Sequence, residues 1–78
     1  MQVQRRTIEA TDQTLFGRLA LLITEGFFDE PRNGNQAFVE LKRRGKSTAK
    51  PNVYRELDRL AEQGFLTKQD GGIRWCRA

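Results

Sequence analysis

Between Asn52 and Arg59 the chain reads N-V-Y-R-E-L-D-R, which sets one amide and two guanidinium groups at positions 52, 55 and 59. Residues three and four apart share a face of a helix, so these side chains can direct hydrogen bonds to one side. Arginine offers two parallel donors that match the acceptor edge of guanine, and asparagine pairs similarly with adenine. Each such pair discriminates between bases by about 1–3 kcal/mol. Asn52, Arg55 and Arg59 are therefore candidates for contacts to base edges. The competing reading engages Arg55 with Asp58 or Arg59 on a solvated helix face.

A second group of residues suits phosphate. Lys46, Ser47, Thr48 and Lys50 precede this helix or open it, where ammonium groups, hydroxyls and free backbone amides meet anions readily. Ser47 or Thr48 can equally serve as a helix cap. Arg43 and Arg44 follow Lys42 at a helix C-terminus, which favours positive charge even without a ligand. Tyr54 can reach a phosphate or sugar, or pack half-buried against a neighbouring helix. Lys68 and Arg74 flank a Gly71–Gly72 turn and are placed for contacts to a nucleic-acid backbone from a hairpin.

Charge supports this division. Of 78 residues, positions 1–41 hold four basic and six acidic residues, a net of −2, whereas positions 42–78 hold ten and four, a net of +6. A basic half of this kind faces an anionic partner or forms a solvated surface. The chain has no histidine and one cysteine, Cys76, so neither an internal disulfide nor the usual zinc spacings can be assembled. We expect no metal, no cofactor and no enzymatic activity: the carboxylates are scattered among basic residues, and Cys76 sits in an alternating stretch as a small packed residue. The N-terminal residues lack a secretory apolar core, and the run Leu19–Ile23 is too short to span a bilayer. A cytoplasmic protein is the expectation.

The elements that must position these groups follow from periodicity and breakers. Leu15, Phe16, Leu19, Leu22 and Ile23 recur at helical spacing after Thr11 and Asp12, either of which can cap. Gly26 accepts a left-handed C-terminal conformation, giving a helix over about 12–25. Phe27 and Phe28 then return to the core. A turn-rich connection, D-E-P-R-N-G-N, leads to a second helix capped by Asn33 or Asn35, with Ala37, Phe38 and Leu41 inward and Gly45 after its end. The third helix starts between Thr48 and Pro51, buries Val53, Leu57, Leu60 and Ala61, and stops at Gly64. Alternation then predicts antiparallel strands over 65–69 and 73–77 around Asp70, Gly71 and Gly72, with Leu66, Ile73 and Trp75 adding apolar surface. Residues 1–11 read as an arm or a short strand, and 12–78 as one domain.

Helix, connection, short helix, tight turn, longer helix and hairpin, in that order over about 12–77, resemble a winged helix-turn-helix domain of α+β class. The stretch N-V-Y-R-E-L-D-R-L-A-E-Q-G-F-L is similar to the recognition helix and wing entrance of many bacterial regulators, with Val53, Arg55, Leu57, Leu60, Gly64 and Leu66 at the matching positions. Its V-Y-R fragment also resembles ferric uptake regulators, but the chain lacks their histidines and metal-ligand clusters. The resemblance implies sequence-specific binding of double-stranded DNA by a transcriptional regulator, with the helix at about 48–63 in the major groove and the hairpin as wing. Pairing of two copies on paired half-sites, and attachment to a further domain or partner protein, are compatible with it. The competing function is a winged-helix module that binds proteins and no nucleic acid. An apolar patch drawn from Phe27, Phe28 and Trp75 would mark it. RNA binding has no stacking-sheet motif to recommend it.

Overall fold

A computed structural model describes residues 10–46 and 48–78. The expected N-terminal arm falls almost wholly outside the described residues, as does Ser47. Three α-helices are present among them: α1, Leu15–Thr24; α2, Gly34–Arg43; and α3, Lys50–Glu62. Three short strands accompany them: β1, Arg32–Asn33; β2, Leu66–Gln69; and β3, Arg74–Arg77. The class is α+β, and the strands form one antiparallel sheet in the order β1-β3-β2.

Helix α1 begins later than its apolar pattern implies. Thr14 is the N-cap, its hydroxyl accepting from the Gly17 amide at 3.0 Å, in place of Thr11 or Asp12. Thr11 instead folds back over the first turn, donating its amide to the Gly17 carbonyl at 3.3 Å. A Cβ at Gly17 would overlap Thr11, so the glycine makes room for that return. At the other end Gly26 has φ 90°, where a side chain would be strained, and it turns the chain into a 3-10 segment over Phe27–Asp29.

Helix α2 has a reciprocal cap: Asn33 Oδ1 accepts from the Gln36 amide at 2.7 Å, and Gln36 Oε1 accepts from the Asn33 amide at 2.8 Å. Of the two asparagines considered as caps, Asn33 is the one used. Helix α3 has Ala49 as N-cap without a side-chain bond, and Pro51 lies in its first turn, where a missing amide hydrogen costs nothing.

The core gathers one stripe from each helix and the inner side of the sheet: Leu19, Leu22 and Ile23 from α1, Ala37 and Leu41 from α2, Val53, Leu57 and Leu60 from α3, and Phe28, Leu66 and Trp75. Ala61 and Phe38 pack at its margin. Expectation and structure part at Ile73. It is 65% exposed, because its backbone is helical (φ −84°, ψ −30°) and ends the turn, so it never enters the pleat of β3. Asp70, Gly71 and Gly72 all carry positive φ in that turn. Strand β1 was not anticipated from sequence. Its two residues lie in what reads as a loop, yet Arg32 pairs with Trp75 and Asn33 with Arg74.

Among the described residues, no helix is long and apolar enough to cross a membrane.

Candidate nucleic-acid interface

Helix α3 is held by Val53, Leu57 and Leu60, each fully buried, and at 3.6 residues per turn this turns Pro51, Arg55 and Glu62 to solvent. Arg55 lies central on that face. Its Nη2 donates to Asn52 Oδ1 at 3.0 Å, one turn earlier, so two of the three candidate base-reading side chains are already joined. Arg59 is drawn toward α1. Its Nη1 donates to Glu56 Oε2 at 2.8 Å, and its guanidinium carbon stands 5.0 Å from the centre of the Phe16 ring. Arg55 therefore meets neither Asp58 nor Arg59; its partners are Asn52 and, at 3.9 Å, the Glu56 carboxylate.

Glu56 escaped the sequence reading. It is 9% exposed, a carboxylate within the otherwise apolar flank of α3, and burial of such a group is tolerated because Arg59 bonds to it. Its position, three residues past Val53 and four before Leu60, is the signal that places it on the inward side.

Charge along α3 is not uniform. Lys50, Arg55 and Arg59 face Glu56, Asp58 and Glu62 on the same helix. The carboxylates all fall after Arg55, so the positive end is the N-terminal one, where Lys46 and Lys50 add charge. No ion pair involves Lys46 or Lys50 among the described residues. Lys50 Nζ lies 5.4 Å from the centre of the Phe38 ring, which fixes its stem against α2. Thr48 is half-buried beside them.

Arg43 and Arg44 are committed locally. Both meet Glu40, at 2.6 Å and 2.8 Å, and Arg44 reaches Glu25 of the α1 cap at 2.6 Å. Bonds from Arg43 and then Arg44 hold the Glu40 carboxyl down to about 2 from its ordinary 4.5. Arg44 ties α2 to the end of α1, Arg43 braces Glu40 within α2, and Lys42 is left exposed beside them.

The hairpin stands on the other flank of α3. Tyr54 is 39% exposed, and its ring packs 5.9 Å from that of Trp75, tilted by 57°. Its edge rests on Gly34, where any Cβ would overlap the ring. Lys68 Nζ is 2.8 Å from Asp58 Oδ1, and Arg74 Nε is 3.4 Å from Asp70 Oδ2. Between α3, the start of α2 and the hairpin lies a groove of about 430 Å³ lined by Tyr54, Asp58, Lys68, Ile73 and Trp75.

The structure thus brings Asn52, Arg55, Thr48 and Lys50 to the N-terminal end of α3 and Tyr54 and Lys68 to the groove side, while Lys46 lines a separate pocket with Arg44 beside α1 and α2, and Arg74 pairs with Asp70 at the hairpin turn. Arg43 and Arg44 stand apart at the α1–α2 junction. No family model, curated protein or solved structure matches the chain.

Proposed function

We propose that the chain is a winged helix-turn-helix domain that binds double-stranded DNA in a sequence-specific way, as a transcriptional regulator or the DNA-binding domain of one. The N-terminal half of α3 enters the major groove, Asn52 and Arg55 address base edges with Arg59 beside them, and Lys46, Thr48 and Lys50 meet phosphates. The β2–β3 hairpin acts as the wing, with Lys68 and Arg74 toward the backbone. The observation that carries this reading is the Asn52–Arg55 pair, a half-buried amide joined at 3.0 Å to an exposed guanidinium on a helix whose opposite side is fully buried. A rigid rod with an ordered donor fork on its outer face is what groove readout requires.

Selection of bound sequences from a random duplex pool tests it, followed by titration of the enriched duplex at several salt concentrations. An enriched motif is expected, with a log-log salt slope near −4 to −5 for about five phosphate contacts. No enrichment and a flat salt response would refute the proposal.

The protein-interaction reading loses its expected patch. Phe28 and Trp75 are 0% and 3% exposed, and Phe27 is half-buried with Arg32 over its ring. Among the described residues, Val39, Tyr54 and Ile73 are the exposed large apolar residues that such a partner would have to use.

A further inference from the structure

The ion pair between Lys68 and Asp58 joins the hairpin to the third helix across the mouth of the groove; both side chains are 47% exposed, although the contacted Asp58 Oδ1 is itself shielded from solvent and accepts no hydrogen bond among the described residues. It does not stabilise the fold to any large extent, since an exposed pair of this kind contributes about 0.2–1 kcal/mol. Its placement is more telling than its strength. Lys68 is the cross-strand partner of Trp75, and Trp75 packs on Tyr54, so the lysine stem rises from the same face of the sheet as the ring that forms the groove floor. Gly72 leaves the stem room, its nearest Lys68 atom standing 3.9 Å from where a Cβ would be. The ammonium thus ends over a groove lined otherwise by amide, phenol and apolar groups, held by a single carboxylate.

We propose that Asp58 serves as a built-in stand-in for a phosphate: it holds Lys68 across the groove in the free protein, and a bound duplex exchanges that carboxylate for a backbone phosphate. This rests on the DNA-binding reading above. The exchange is an ion-pair swap with no covalent step. The pair with Asp58 must break before Lys68 can meet a phosphate, so Asp58 tempers affinity for DNA of any sequence through its hold on the lysine while leaving base readout to Arg55. The weakness of an exposed pair is what allows the swap.

A double-mutant cycle tests the swap. Wild type, Asp58→Asn, Lys68→Ala and the double variant are titrated by anisotropy against a fluorescein-labelled 24-base-pair duplex of mixed sequence at several salt concentrations. Circular dichroism checks that each is folded. Asp58→Asn is expected to bind about 2–5-fold tighter, the range that releasing one exposed pair allows. Lys68→Ala is expected to bind more weakly, with a salt slope shallower by about 0.9. In the Lys68→Ala background the Asp58→Asn gain shrinks to under about 1.5-fold, because the lysine it would free is gone. An equal gain in both backgrounds overturns the inference, for it would mean plain repulsion between Asp58 and DNA; no gain in either does the same. Absence of binding by all four proteins sinks the DNA reading together with the swap, whereas binding with equal gains sinks the swap alone.

Discussion

Arg55 reaches back one turn along α3 to Asn52, its Nη2 donating to the amide oxygen at 3.0 Å. The bond uses one of the five guanidinium donors, Nε faces the Glu56 carboxylate at 3.9 Å, and Nη1 is left for an outside acceptor. It also orients the Asn52 amide, whose NH2 group then points away from Arg55. Two adjacent side chains are thereby held in one geometry before any partner arrives, which lowers the ordering cost of a contact.

The first prediction concerns that pair. Arg55→Ala should cost about 1–3 kcal/mol on the enriched duplex and relax its sequence preference, since a base-edge contact is lost. Lys46→Ala should weaken all duplexes by a common factor and reduce the salt slope by about one. Anisotropy titrations on enriched and scrambled duplexes read both effects. Equal, sequence-independent losses in the two variants would refute the division of roles.

A second prediction follows from Gly34. A Cβ there overlaps the Tyr54 ring, and Tyr54 is backed by Trp75. Gly34→Ala should therefore destabilise the fold by about 1–3 kcal/mol, the range for forced overpacking. Urea denaturation measures it, and the sole tryptophan, Trp75, reports the local change by fluorescence. Tyr54→Ala should recover most of the loss if the clash is its cause.

The cap of α2 supplies a third. Asn33→Ala removes the acceptor for the Gln36 amide and should cost about 1 kcal/mol, whereas Asn35→Ala, at a helical position without a capping bond, should cost clearly less. Comparison of urea midpoints distinguishes them. Similar losses at both positions would contradict the assignment of the cap.

Acid provides the fourth. Hydrogen bonds from Arg43 and Arg44 lower the Glu40 carboxyl to about 2 in the folded protein, against an ordinary 4.5. A depressed folded-state value means that the stabilisation is fully present above the unfolded value and is lost as pH falls from about 4.5 through 2. Glu40→Gln should be less stable than wild type at pH 7, with the gap closing by pH 2. Denaturation midpoints across that window check it, and a gap that stays constant would show that Glu40 stabilises by packing alone.

Much of this architecture was legible because its signals are local. The stripe Val53, Leu57, Leu60 sets the buried side of α3, Gly26 and Gly45 mark helix ends by their tolerance of positive φ, and the Asp70–Gly72 turn sets the hairpin. The outward placement of Arg55 on α3 was available from spacing, whereas the choice of Asn33 over Asn35 as the cap of α2 came only with the structure. The pairing of Arg55 with Asn52 in place of Asp58 was not available from spacing, because both neighbours lie within a turn and only the placed side chains choose between them.

What the sequence determined by itself is therefore the set of elements and which side of each helix is apolar, since propensity, capping and periodicity act over a few residues. Only the tertiary structure decided the contacts between elements: β1, whose Arg32 and Asn33 become a strand by pairing with residues more than 40 positions away; the hold of Glu25 on Arg44; Asp58 on Lys68; and the outward turn of Ile73. Two-residue pairings and ion pairs across a sheet carry no period along the chain. They exist only once burial of the shared core has brought distant segments to within a few ångströms of each other.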